Sequence, residues 1–284
     1  MRMRSLLFVP GDRPDRFGKA AASGADSVII DLEDSVTLAN KDKAREALAR
    51  HGSSRPAAPR LLVRINAVGS GHIAADLEAV CLAGPDGIVL PKCEGAGTVE
   101  QLARALRETG CGALPILPIA TETPAAIFRL GTFAKISGHL CGLTWGAEDL
   151  PAAIGATTAR EADGRYTSPY ETVRSLTLFA AHAAGVRAIE TVYPDFHDEA
   201  GLFAYALRGR RDGFAGMMAI HPAQVPVINR AFTPGKAEVE SARAIVAAFR
   251  AKPEAGVIEI GGRMLDLPHL KAALNILSMA GGTD

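Results

Sequence analysis

Two stretches carry carboxylates where a short apolar run ends. Leu114–Ala120 leads straight into Thr121-Glu122-Thr123-Pro124, and Leu140–Leu143 leads through Thr144-Trp145-Gly146-Ala147 to Glu148 and Asp149. Carboxylates at the ends of neighbouring strands suit a hard divalent cation. Mg²⁺ typically takes one or two protein carboxylates and leaves its other positions to water and substrate oxygens. Each stretch alone reads better as a helix start, with Thr123 as N-cap, Pro124 at the first helical position and the acids in the first turn, and only the rest of the chain changes that balance. Arg64 lies inside the apolar run Leu61-Leu62-Val63-Arg64-Ile65-Asn66. An arginine in a buried strand has to face a carboxylate or a ligand. Asp31, Glu33 and Asp34 offer the acids. The two roles are compatible: the acids orient the guanidinium, and its planar fork reaches an anionic oxygen.

Other polar residues stand at comparable places. Pro10-Gly11-Asp12-Arg13 follows the first apolar run, and Pro91-Lys92 follows the fourth. On a helix, Arg16 and Lys19 share a face and, with Arg13, either hold the phosphates of a nucleotide-tailed substrate or form a solvated basic surface. His221, between Ile220 and Pro222, reads as a satisfied core histidine. There is no Ser-His-Asp order, glycine-rich dinucleotide fingerprint or P-loop.

The elements that must position these groups alternate regularly. Strands are expected at Leu6–Val9, Ser27–Leu32, Arg60–Asn66, Gly87–Leu90, Leu114–Ala120, Leu140–Leu143, Ala188–Tyr193 and Gly216–Ile220. Each is a nearly continuous apolar run, as a parallel sheet buried on both faces requires. Helices are expected at Arg13–Ala22, Lys41–Arg50, Ile73–Leu82, Thr98–Glu108 and about Pro169–Ala184. Eight such units define an α/β chain folded as a (β/α)8 TIM barrel, with a doubly wound sheet as the alternative. In a barrel, active sites form at the C-terminal ends of the strands, where these polar residues cluster. Thr233-Pro234-Gly235 marks a break. A barrel domain over 1–235 is therefore followed by a lid-like extension over 236–284, with helices at Lys236–Ala251 and Leu267–Met279 around a hairpin at Gly256–Leu265. That extension has too little apolar mass to stand alone and is expected to pack on the barrel or on a neighbouring subunit.

The 284 residues are 48% hydrophobic and 22% charged, with a formal net charge of zero. Nothing in that balance points to nucleic acid or a membrane surface. No apolar run approaches ~18 residues, so no transmembrane helix is expected. Cys81, Cys93, Cys111 and Cys141 form no Cys-x-x-Cys pair and read as reduced thiols of a cytoplasmic protein.

Taken together, Ser5-Leu6-Leu7-Phe8-Val9-Pro10-Gly11, Asp31-Leu32-Glu33-Asp34-Ser35-Val36, Val63-Arg64-Ile65-Asn66, Leu90-Pro91-Lys92, Glu122-Thr123-Pro124, Gly146-Ala147-Glu148-Asp149-Leu150 and Ile220-His221-Pro222-Ala223-Gln224 resemble the citrate lyase beta subunit and its acyl-CoA lyase relatives in the HpcH/HpaI aldolase superfamily. The resemblance spans roughly Ser5–Phe232, and Gly262–Pro268 adds a match to the acyl-CoA lyases. It implies a barrel assembled as a homotrimer or hexamer, and Mg²⁺ (Mn²⁺ as a substitute) held by Glu122 and Asp149. It implies substrate contact from Arg64, with Asp31, Glu33 and Asp34 behind it, and CoA contacts from Phe8, Arg13 and Lys19. Groups around Ala147 and Glu148 would hold a 2-oxo acid carboxylate. Asp266 would act as acid/base from a lid, often a neighbour's. The implied reaction splits a 3-hydroxyacyl-CoA of malyl- or citramalyl-CoA type into an acyl-CoA and a 2-oxo acid. Its rivals are a citryl-thioester lyase working on an acyl carrier protein, and a malyl-CoA thioesterase or malate-synthase-like enzyme.

Overall fold

A computed structural model describes residues 2–52 and 58–281. Its parallel strands are β1 (Ser5–Pro10), β2 (Ser27–Asp31), β3 (Arg60–Arg64), β4 (Gly87–Leu90), β5 (Ile116–Pro118), β6 (Gly142–Thr144), β7 (Arg187–Glu190) and β8 (Gly216–Ala219). Their order is β5-β4-β3-β2-β1-β8-β7-β6, and single parallel bridges, Ile116 to Leu140 and Ile119 to Thr144, join the two edges. The sheet thus closes into the expected (β/α)8 barrel. Met3, Leu6, Ile29, Leu62, Val89, Leu117, Ile119, Ile189 and Met218 form one buried cluster. They come from seven of the eight strands and their flanks, so closure itself is what buries them.

The helices are α1 (Phe17–Ala21), α2 (Lys41–Gly52), α3 (Ile73–Ala83), α4 (Ala96–Glu108), α5 (Pro124–Ile127), α6 (Asp149–Ile154), α7 (Ser168–Ala183), α8 (Glu199–Asp212) and α9 (Gln224–Ala231). The expected first helix is split: Pro14–Arg16 is a 3-10 turn and only Phe17–Ala21 is α-helical. Pro14 lacks the N–H and starts the turn.

One expectation is overturned. Cys81, on α3, and Cys111, after α4, are joined in a disulfide, with Cα atoms 4.7 Å apart. The bond links residues 30 apart in sequence, so only the packed fold brings the two thiols within bonding geometry. Cys93 and Cys141 are free.

The chain divides into two compact units, Met1–Asn229 and Arg230–Asp284. The second contains α10 (Lys236–Ala251), an antiparallel hairpin of β9 (Val257–Ile260) and β10 (Arg263–Asp266), and α11 (Leu267–Met279). Ala242, Val246 and Ala273 form one small apolar cluster there, and Phe249, Ile258 and Leu265 another.

Candidate active site

The ends of the barrel strands bring Glu122, Asp149, Arg64, Asp31, Phe8, Ala147 and Glu148 to one cavity of about 270 Å³. Its remaining wall is mostly apolar and includes Ile119, Val192, Met218 and Ile220. Arg64 ends β3 with only 13% of its side chain exposed. Its Nε donates to one Asp31 oxygen at 2.7 Å and its Nη2 to the other at 2.6 Å. Its Nη1 lies 3.1 Å from Glu33, and its guanidinium covers the Phe8 ring at 4.9 Å. Burial works against the charge of Arg64, but the Asp31 hydrogen bonds and the nearby carboxylates outweigh it and raise its pKa. Asp31 itself accepts further N–H groups from Glu33 and Ser35. Burial is likewise outweighed at Asp31 by Arg64, which holds the acid below its usual range. The pair therefore stays ionised, with the fork of Arg64 rigidly aimed.

Glu122 follows β5 and is 3% exposed. It accepts a short hydrogen bond from the backbone N–H of Lys92. Lys92 adopts φ 49°, a left-handed conformation that is uncommon outside glycine. Its ammonium pairs closely with Glu33, lies 3.3 Å from Asp34 and reaches to 3.9 Å from Asp149. One residue thus touches both carboxylates through different atoms. The sequence places Lys92 at a strand end, yet nothing in its type marks it as a site residue. Beneath this knot the ammonium of Lys41 donates to the carbonyls of Leu32 and Glu33 and shapes the loop after β2.

Burial pushes the Glu122 carboxyl up to about 8, and Asp149 and Glu33 add to that against the Lys92 N–H. Glu33 is neutralised by Arg64 and Lys92, but among the described residues Glu122 has no cationic side chain of its own and Asp149 meets the Lys92 ammonium only at 3.9 Å. That donor set fits a hard dication, which would reverse the shift. Among the described residues no group of three or more His, Cys, Asp and Glu has metal-binding geometry. A cation here would have two protein carboxylates, as Mg²⁺ commonly does.

Not every expected residue reaches the cavity. Arg13 is exposed and paired with Asp15, and Lys19 is exposed on α1; neither lines it. His221 is at the surface rather than in the core, stacked on Phe196 with ring centroids 4.6 Å apart. The backbone bends outward there because the Gln224 side chain accepts the N–H groups of both Ile220 and His221. In the second unit, Asp266 ends β10 and N-caps α11, with its carboxylate 2.5 Å from His269 Nδ1. The His269 hydrogen bond holds Asp266 below its usual range.

The fold and the rim together define a class: a (β/α)8 barrel with acids and an arginine gathered at the C-terminal ends of its strands, where barrel enzymes carry their active sites. A family model described as HpcH/HpaI aldolase/citrate lyase matches residues 4–222. A citrate lyase subunit beta-like protein of Mycobacterium tuberculosis is 40% identical over 97% of this chain and 94% of its own. A mitochondrial citramalyl-CoA lyase of Rattus norvegicus is 31% identical over 98% of this chain and 86% of its own. The crystal structure of a Mycobacterium tuberculosis protein in complex with magnesium, acetoacetate and coenzyme A superposes with a TM-score of 0.85, at 37% identity and over 99% of both chains. The chain belongs to the HpcH/HpaI aldolase/citrate lyase family and is a carbon–carbon lyase.

Proposed function

We propose that this lyase is Mg²⁺-dependent and cleaves a 3-hydroxyacyl-CoA of the malyl- or citramalyl-CoA type to acetyl-CoA or another acyl-CoA and a 2-oxo acid. The observation that carries this reading is the cavity in which Glu122 and Asp149 face an Arg64 already locked by Asp31. Glu122 and Asp149 would hold the ion, which when bound supplies Lewis acidity to the substrate hydroxyl and carboxylate. With its Nε and Nη2 edge held on Asp31, Arg64 turns its remaining Nη N–H groups to the oxygen on which negative charge develops as the C–C bond breaks. The backbone around Ala147 and Glu148, just ahead of α6, is assigned the 2-oxo acid carboxylate. Phe8, in the cavity wall under Arg64, is assigned a CoA contact, and Arg13 and Lys19 outside the cavity remain for the CoA phosphates.

Asp266 is assigned the proton delivered to the thioester enolate. Its competing role is the cap it already makes on α11. Asp266→Asn, with the acyl-CoA product and proton exchange at its methyl group both followed, separates the two. A loss of turnover of about 10² with CoA-ester binding intact supports the acid/base role. Full activity with only a lower melting temperature leaves the cap.

The charges favour a substrate with one carboxylate. Among the described lining residues Arg64 is the sole cation, and Asp31 already neutralises it. A citryl substrate brings a second carboxylate that this wall, with Val192, Met218 and Ile220, does not match. The direct test incubates the protein with Mg²⁺ and a panel of malyl-, citramalyl- and citryl-thioesters on CoA and on acyl carrier protein. Release of a 2-oxo acid together with an intact acyl-CoA supports the proposal. Cleavage on the carrier protein alone turns the reading to a citrate-lyase-type subunit, and free CoA alone turns it to a thioesterase. We assign the enzyme a homotrimeric or hexameric state, which native mass measurement tests.

A further inference from the structure

Behind the cavity wall lies a buried polar network that the reaction itself does not use. Glu190 ends β7 and is 0% exposed. Its Oε1 accepts the indole N–H of Trp145 at 2.5 Å, the hydroxyl of Tyr205 at 3.0 Å and the backbone N–H of Thr191 at 3.0 Å. Its Oε2 accepts Nε of Arg174 at 2.7 Å. Arg174, on α7 and also buried, is held from the far side by Asp212 of α8 at 2.9 Å.

The place of this carboxylate gives the network its meaning. Trp145 is the residue after β6, and Gly146-Ala147-Glu148-Asp149 follows it directly around the cavity. Thr191, on the other side of Glu190, lines the same cavity. The carboxylate thus ties down both the base of the Asp149 loop and the end of the neighbouring strand. At the next residue the Gly146 N–H is fixed to Thr121, adjacent to Glu122. Trp145 is wedged edge-on against Tyr166 at 5.0 Å, so the indole has one orientation. A buried ion pair contributes little net stability compared with apolar side chains of the same volume. A charged group here is better explained by geometric definition, since partners behind metal ligands tune metal affinity by about 10- to 100-fold.

We propose that Glu190, acting through the indole of Trp145, is a positioning residue that holds the Gly146–Asp149 loop in its cation-binding geometry. This rests on the reading of Glu122 and Asp149 as metal ligands. Glu190→Gln places an amide donor against the Arg174 donor and weakens the whole network. Trp145→Phe removes the indole N–H together with part of a buried ring and leaves Glu190 paired with Arg174, so it remains informative if the first variant folds poorly. Asp212→Asn disturbs the same network at its far end and serves as the control.

Two readouts decide the matter on the purified full chain. The first is Mn²⁺ affinity by calorimetry, together with the Mg²⁺ dependence of turnover. Both site variants are expected to bind the ion about 10-fold or more weakly, with kcat restored at saturating Mg²⁺. The control should lose melting temperature without losing ion affinity. The second is hydrogen exchange of the Gly146–Asp149 amides without metal, expected to accelerate at least 10-fold in both site variants and not in the control. Trp145 is the single tryptophan of the chain, so its fluorescence in the wild type also reports ion binding directly. Wild-type ion affinity and wild-type exchange in Glu190→Gln and Trp145→Phe, with only a lower melting temperature, overturn the proposal. A wild-type protein that binds no Mn²⁺ overturns the metal reading instead, and the exchange measurement then still decides whether Glu190 orders the loop.

Discussion

An alanine at position 146 would put its methyl carbon 2.5 Å from Glu122 Cγ, 3.2 Å from Ile119 Cγ2 and 3.3 Å from Glu122 Cδ. Carbon atoms prefer about 3.5–4.0 Å, so Gly146→Ala forces a movement of about 1 Å. The loop cannot easily yield, because the Gly146 N–H is held by Thr121 and Trp145 is clamped on the other side. The stem of Glu122 must yield instead, and its carboxylate with it. A metal ligand tolerates displacements of only about 0.2 Å. A misplacement of about 1 Å at a reacting centre costs on the order of 10²-fold, or about 2.7 kcal/mol of transition-state stabilisation. The expected result is a fall of that size in kcat/KM for the thioester substrate and a parallel loss of Mn²⁺ affinity by calorimetry. Circular dichroism should show the fold retained. Gly97→Ala is the matched control, since Gly97 is exposed on α4 with nothing within 4 Å of the added carbon. It should keep full activity and gain a few tenths of a kcal/mol of stability, up to about 1. A folded Gly146→Ala variant with wild-type ion affinity and turnover would refute the reasoning, because the Glu122 carboxylate would then not need its present position.

Three further outcomes are expected. Arg64→Lys keeps the charge but cannot reproduce the fork on Asp31, so turnover should drop by about 10² or more while the fold survives; unchanged kinetics would make Arg64 a structural ion pair only. Burial raises Glu122 from its ordinary 4.5 to about 8, so the metal-free native state holds a proton there that the unfolded chain releases. Metal-free stability should therefore fall as pH rises from about 4.5 to about 8, while Mg²⁺ affinity climbs over the upper part of that range and levels off beyond it. A pH-independent ion affinity between 6 and 9 contradicts this. The Cys81–Cys111 disulfide should leave two of the four cysteines reactive toward a thiol reagent in the unfolded, unreduced protein. Its removal by Cys111→Ser should cost about 2–4 kcal/mol in denaturant unfolding; four reactive thiols before reduction would show that the bond is not formed.

The sequence by itself determined the fold class and most of the rim. Each barrel strand is a local apolar run whose two-sided burial shows in its composition, and the acids and Arg64 stand where those runs end. β4 and the helices α10 and α11 coincide with their expected limits, because a run's periodicity and its caps are local properties. Tertiary structure decided what those ends do to one another. Closure of the barrel brings β3 and β2 into register with Arg64 opposite Asp31, and this turns a buried arginine into a rigid fork. The left-handed turn at Lys92, which carries its N–H to Glu122, has no signature in a Pro-Lys pair. Glu190, Trp145 and Arg174 lie far apart along the chain, so their convergence exists only once α7 packs on β6 and β7. The Cys81–Cys111 bond arises in the same way, whereas the outward turn of His221 is local and rests on Gln224, three residues on. Periodicity records how one segment meets the core, whereas a site is made where several segments meet, and that depends on distances only the closed barrel sets.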